Sequence, residues 1–275
     1  MNNPLTSREY KITLNANNRL YKDWSQHDFS HLQTLITYTC DNLDIEYSGE
    51  CKLYEQFAVT YMDTPEWDLY KNGWIFRIRR YYSKPANEYT IKFRSPDRYF
   101  SATKNVDCKL TYKDVSSIEY KFEEDITADP FHSNFSPSCN VFTNDLLGLS
   151  TFEKASNVFP GIADLNLKEN TPLTSVKNKQ ILQEVWKGLN VKFGHNTYKI
   201  KIVLWWSSIS KKPKDLVFGE IMFRLKSKHE DYSKYDIIDA HNFYLKLNEY
   251  GLNTGWVDPQ GMTKTRFVYD DDSYN

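Results

Sequence analysis

Basic residues recur two apart in this chain, as Arg77 with Arg79, Lys92 with Arg94 and Lys199 with Lys201. The same spacing links Glu9 to Lys11 and Glu119 and Glu123 to Lys121, and twice that spacing links Glu220 to Arg224. Alternate residues of a β-strand share a face, so each set stands its charges side by side. Guanidinium and ammonium groups gathered in this way bind phosphate oxygens, and carboxylates among them hold a hard divalent cation. The opposite faces carry Tyr10 and Ile12, Trp74 with Phe76 and Ile78, Ile91 with Phe93, Tyr120 with Phe122, and Ile200 with Ile202. The wet side of an antiparallel sheet commonly explains such alternation, but a wet face mixes in Thr, Ser and Gln, whereas Arg and Lys recur here. A sheet curled shut would line its interior with these cations.

The elements that must position them follow from local pattern. Residues 8–14, 57–63, 74–82, 88–94 and 117–126 are β-branched, aromatic and alternating, and the turn-rich stretch 83–87 favours a hairpin between two of them. Further strands are expected at 189–193 and 197–206, joined by Gly194-His195-Asn196, and at 216–225. A short closing strand is expected at 265–269. Ser30 and Gln33 form a capping box that opens a helix over 30–43, and a second amphipathic helix over 233–250 ends before Gly251. Between 127 and 175, Pro130, Pro137, Pro160, Gly161 and Pro172 break the pattern, leaving an irregular excursion with a helical candidate at 143–156. The expectation is an α+β fold in one domain over 1–275, its sheet mainly antiparallel, its apolar face covered by helices and its tail 270–275 frayed.

Composition narrows the function. Across 275 residues, 35 basic and 36 acidic side chains nearly cancel, so an anionic ligand needs a local surplus of positive charge. One exists between Lys71 and Lys104, where nine basic residues face Glu88 and Asp97 alone. No apolar run is long enough for a membrane span and the N-terminus is polar, so we expect a cytoplasmic protein. Cys40, Cys51, Cys108 and Cys139 form no C-x-x-C pair and read as free thiols. His27 and His31 have the spacing of helical zinc ligands, but Asp28 and Ser30 between them are helix-start residues.

These residues also resemble a known family. Glu9-Tyr-Lys11, Tyr61-Met-Asp-Thr-Pro65 with Leu69, Gly73-Trp-Ile-Phe-Arg-Ile-Arg79, Tyr89-Thr-Ile-Lys-Phe-Arg94, Glu119-Tyr-Lys-Phe-Glu123 and the strand around Gly219-Glu220 are similar to the successive signatures of the CYTH domain, or triphosphate tunnel metalloenzyme, superfamily. They occur in the same order over residues 8–226. The resemblance implies an eight-stranded antiparallel β-barrel whose tunnel binds a triphosphate and Mg²⁺ or Mn²⁺, as in triphosphatases and class IV adenylyl cyclases. Carried over by motif, Arg77, Arg79, Lys92 and Arg94 would grip phosphates and, with Lys11, act in catalysis. Lys121, Lys199 and Lys201 would be further lumen cations, and Glu9, Glu123 and Glu220 metal ligands. The chain departs from the pattern at Ser7, which stands where E-x-E-x-K begins with Glu, and at Met222, where a second acid is common. Glu123, Glu220 or Asp125 would have to compensate.

The expected function is a metal-dependent phosphohydrolase acting on an inorganic or organic triphosphate. The same site becomes a cyclase if the 3′-hydroxyl of ATP attacks the α-phosphate. A site short of carboxylates also suits a binding module for polyphosphate or a nucleotide without chemistry. Nucleic acid is disfavoured, because cations and aromatics lie on separate faces whereas single-strand binders interleave them.

Overall fold

A computed structural model describes residues 4–16, 26–110, 115–127, 131–207 and 216–269. The strands are β1 (Ser7–Leu14), β2 (Tyr47–Ser48), β3 (Lys52–Asp63), β4 (Trp74–Tyr81), β5 (Asn87–Phe93), β6 (Val115–Thr127), β7 (His132–Thr143), β8 (Thr174–Ser175), β9 (Ile181–Phe193), β10 (Asn196–Trp206) and β11 (Leu216–Lys226). The helices are α1 (Gln26–Asn42), α2 (Asp68–Lys71), α3 (Arg98–Ala102), α4 (Phe152–Val158), α5 (Lys234–Asn253) and α6 (Lys264–Tyr269).

Nine strands pair in the order β9-β10-β11-β1-β6-β7-β5-β4-β3, and β3 pairs back onto β9, which closes a ring. All of these pairings are antiparallel except β1 with β6, which run parallel. The ring therefore has one strand more than the expected eight and is not wholly antiparallel. The added strand is β7, inside the stretch read as irregular. Of its cavity-lining residues Asn134, Ser138, Asn140 and Phe142, three are small and polar, and Asn is depleted in strands. Pro137 breaks the pattern further; it is tolerated because pairing with β5 stops at Ser138, so the proline lies beyond that ladder.

Outward side chains are apolar, as the alternation requires. Tyr10, Ile12, Ile200, Ile202, Ile221 and Phe223 pack under α1 and α5, against Leu32, Ile36, Phe243 and Leu247. Trp74, Phe76, Ile91 and Phe93 pack under α4 and the following 3-10 turn, against Phe152, Phe159 and Ile162. The part of the excursion that follows β7 thus covers the β4–β5–β7 face.

The segment expected as a closing strand is instead the helix α6. A strand would send successive side chains to opposite faces, yet Phe267, Val268 and Tyr269 are all buried. They pack with Tyr61, Ile75, Val203 and Met222, which line the interior of the ring, so α6 stoppers one end of it. The Tyr269 hydroxyl donates to Asp63 Oδ2 at 2.8 Å, and its ring stacks on Tyr70. All four cysteines are free, as expected. Among the described residues no helix is long and apolar enough to cross a membrane. The tail 270–275 and the side chain of His27 lie outside the described residues.

Candidate functional site

The ring encloses a cavity of about 500 Å³ whose wall includes eleven basic and seven acidic residues. Arg77 and Arg79 enter it from β4, Lys92 from β5 and Arg94 just beyond it, while Ile75 and Tyr81 share their face. Period two on β4 and β5 therefore sorts these residues inward, as the sequence predicts. Lys11, Lys121 and Lys201 also line the cavity. Lys199 does not: it is exposed, beyond Lys201 toward the start of β10, where the register with β9 shifts by one extra β9 residue.

Most of these cations are neutralised within the wall. Glu88 Oε1 accepts from Arg77 at 3.1 Å and from Arg79 at 3.0 Å. Burial alone would raise the Glu88 carboxyl, but Arg79, Arg77 and the Thr90 hydroxyl outweigh it and hold the group at about 2. Asp125 is the larger hub. Its carboxylate accepts from Lys11 at 2.6 Å, Lys92 at 3.1 Å and Arg94 at 2.9 Å. Burial opposes its charge, yet Lys11, Lys92 and Arg94 together hold it well below the usual carboxylate range. Arg224 pairs with Glu9 and, at 3.1 Å, with Glu123.

The expected metal ligands divide. In the parallel β1–β6 register Ser7 stands opposite Glu123 and Glu9 opposite Asp125, and ligand oxygens of Glu9, Glu123 and Asp125 all lie within 4.8 Å of one another. Glu220 is not in this group: Lys264 Nζ sits 2.8 Å from its Oε1. Three buried carboxylates are the hard oxygen donors that Mg²⁺ and Mn²⁺ prefer, so the donor set fits such an ion. Lys11, in contact with both Glu9 and Asp125, competes with it for the same oxygens. Ser7 is buried, its Oγ 3.5 Å from Glu123 Oε1, so a hydroxyl stands where the motif would offer a further carboxylate.

Four arginines keep an unused donor. The Nε atoms of Arg77, Arg79, Arg94 and Arg224 are buried without a hydrogen-bond partner, which suits them to a further acceptor such as a phosphate oxygen. Sequence reasoning left Glu88, Lys187, Arg224 and Lys264 out of the site. Arg224 carried a signal, standing four residues after Glu220 on one strand face. Lys264 carried none, because it enters from α6 and obeys no strand period.

No protein-family model and no curated protein sequence matches the chain. Among solved structures it is similar to a protein from Hippeastrum assigned as an adenylyl cyclase and described as having a dominant triphosphatase activity. That match has 9% identity over 94% of this chain and 93% of the other, with a TM-score of 0.46. It is also similar to a protein from Bacillus halodurans assigned as an adenylate cyclase, at 10% identity over 96% and 97%, TM-score 0.40. A third, from Vibrio parahaemolyticus and assigned likewise, has 9% identity over 94% and 97%, TM-score 0.35.

Proposed function

We propose that the cavity binds a triphosphate-containing small molecule or inorganic polyphosphate with Mg²⁺ or Mn²⁺ and hydrolyses it, in the manner of a CYTH-type phosphohydrolase. One observation carries the reading: Glu9, Glu123 and Asp125 converge inside a cavity whose wall has more cations than anions. Metal and polyphosphate each find their counter-charge there.

In this reading Arg77 and Arg79 turn their unused Nε donors to phosphate oxygens, and Lys92 and Arg94 offset charge on the group that is attacked. Lys11, beside both Glu9 and Asp125, is placed to hold phosphate next to the carboxylates. Glu9, Glu123 and Asp125 would hold the ion, whose chemistry is to polarise a phosphoryl oxygen and make bound water more acidic. Water is the nucleophile, so no protein nucleophile is required. With ATP as ligand the same wall would serve a cyclase.

A non-catalytic binding module is the second reading. It is favoured by Ser7 and Met222 at positions where carboxylates would strengthen a metal site, and by the ion pairs that already engage all three acids. Measuring phosphate, pyrophosphate and cyclic nucleotide from tripolyphosphate and from ATP, with Mg²⁺ and with Mn²⁺, separates the three. Phosphate release supports hydrolysis, cyclic nucleotide supports the cyclase, and tight binding with no product supports the module.

A further inference from the structure

Lys187 and Lys201 differ from most other cations of the cavity. Lys11, Arg77, Arg79, Lys92, Arg94 and Arg224 each meet a carboxylate, whereas neither of these two has an ion-pair partner among the described residues. They stand directly opposite each other on β9 and β10, an arrangement that like charges disfavour. Burial, then Lys201 and Lys199, push Lys187 down to about 8, and burial with Lys226 and Lys121 lowers Lys201. Glu55, the acid nearest in its effect on Lys187, accepts instead from the Ser83 hydroxyl.

The sheet is shaped to keep the pair in place. Register shifts fall between Leu53 and Glu55 on β3 and between Lys199 and Lys201 on β10, one on each side of Lys187. Next to Lys187, Gly188 has φ +132°, and a Cβ there would lie 2.1 Å from the Glu50 carbonyl oxygen. Such shifts re-aim side chains and recur beside functional sites. Both lysines line the cavity, and the charge of Arg79 is felt at Lys201, so the pair is continuous with the arginine side of the site. The Lys187 ammonium already covers the Tyr54 ring at 3.5 Å, which withholds that ring from a planar base.

We propose that Lys187 and Lys201 form a second anion subsite, which takes the phosphates of a linear polyphosphate beyond those held at Arg77, Arg79, Lys92 and Arg94. The protein then prefers chains longer than tripolyphosphate. Two ammonium groups without a planar fork suit the oxygens of successive phosphates. This inference rests on the function proposed above.

Calorimetric titration of the full chain with tripolyphosphate and with a longer linear polyphosphate of defined length tests it. The wild type should bind the longer chain at least about tenfold tighter, the scale of one charge-assisted contact. The double variant Lys187→Gln, Lys201→Gln should lose most of that ratio, and Lys187→Arg should keep it. Tripolyphosphate binding without a length preference, or a preference that survives the double variant, overturns the subsite and leaves the deeper site standing. Equal tightening by a single-stranded RNA without a triphosphate also overturns it. A wild type that binds neither phosphate chain overturns the proposed function itself.

Discussion

Lys11 on β1 and Asp125 on β6 meet beside the one parallel pairing of the ring, Nζ to Oδ1 at 2.6 Å. Lys92 and Arg94 reach Oδ2 of the same carboxylate from the β5 side. One buried acid therefore holds three cations that would otherwise repel each other. Removing one partner of a buried ion pair costs about 3–5 kcal/mol because it strands the other charge. Asp125→Asn should lower stability by about 3 kcal/mol or more, read from urea unfolding, and an unshifted midpoint would contradict this. Lys92→Ala should also destabilise, since Lys92 is paired with Asp125 and Glu123 and does more than wait for ligand.

Glu88 makes stability depend on acid pH. Its ordinary value of 4.5 falls to about 2 in the folded protein. A depressed carboxylate contributes stability that is complete above about pH 4.5 and is lost as pH falls toward about 2. The contribution is on the order of 3 kcal/mol at neutral pH. Glu88→Gln should flatten the acid limb of a stability profile between those values, and an unchanged limb would show that Arg77 and Arg79 do not hold this group.

Ser7→Glu places a second carboxylate against Glu123. Without metal the variant should be less stable than wild type, because two like charges then share a buried position. With Mn²⁺ its melting temperature should rise by more than that of wild type, since the added oxygen completes a hard-donor set. Equal shifts in the two proteins would place the ion elsewhere.

Arg77, Arg79, Lys92 and Arg94 are legible in the sequence because β4 and β5 alternate cleanly, with an apolar residue facing outward between each pair. Asp125 is harder to read, since it ends the acidic run Glu123-Glu124-Asp125. Period two sets Asp125 on the face of Glu123, and the register with β1 shows that both turn inward beside Glu9 while Glu124 pairs with Arg8 outside. Glu220 misleads for the complementary reason: its strand and face are right, but its partner Lys264 comes from a helix that strand periodicity cannot anticipate. β7 escapes notice because most of its inward residues are serine and asparagine and it contains a proline. Closure of the ring depends on β3 meeting β9, a contact between distant segments that no local pattern encodes.

Two cavity lysines make binding depend on alkaline pH. Lys187 and Lys264 are each lowered from 10.5 to about 8, chiefly by burial. Folding disfavours their charged forms, so this effect alone raises stability as pH climbs from about 8 toward 10.5. A polyanion selects the ammonium form and acts in the opposite sense. Affinity for a linear polyphosphate longer than tripolyphosphate should be full below about pH 8, fall above it, and be accompanied by proton uptake near pH 8. Calorimetry in buffers of different ionisation enthalpy measures that uptake, and none would contradict the assignment.

The most direct measurement is phosphate release from tripolyphosphate by wild type and Glu9→Gln, each with Mn²⁺, with Mg²⁺ and with a chelator. Wild-type release that needs the metal and falls at least about a hundredfold in Glu9→Gln, the scale of a lost catalytic contact, is the expected result. Release that persists in chelator, or that survives Glu9→Gln undiminished, would contradict a metal site built from Glu9, Glu123 and Asp125.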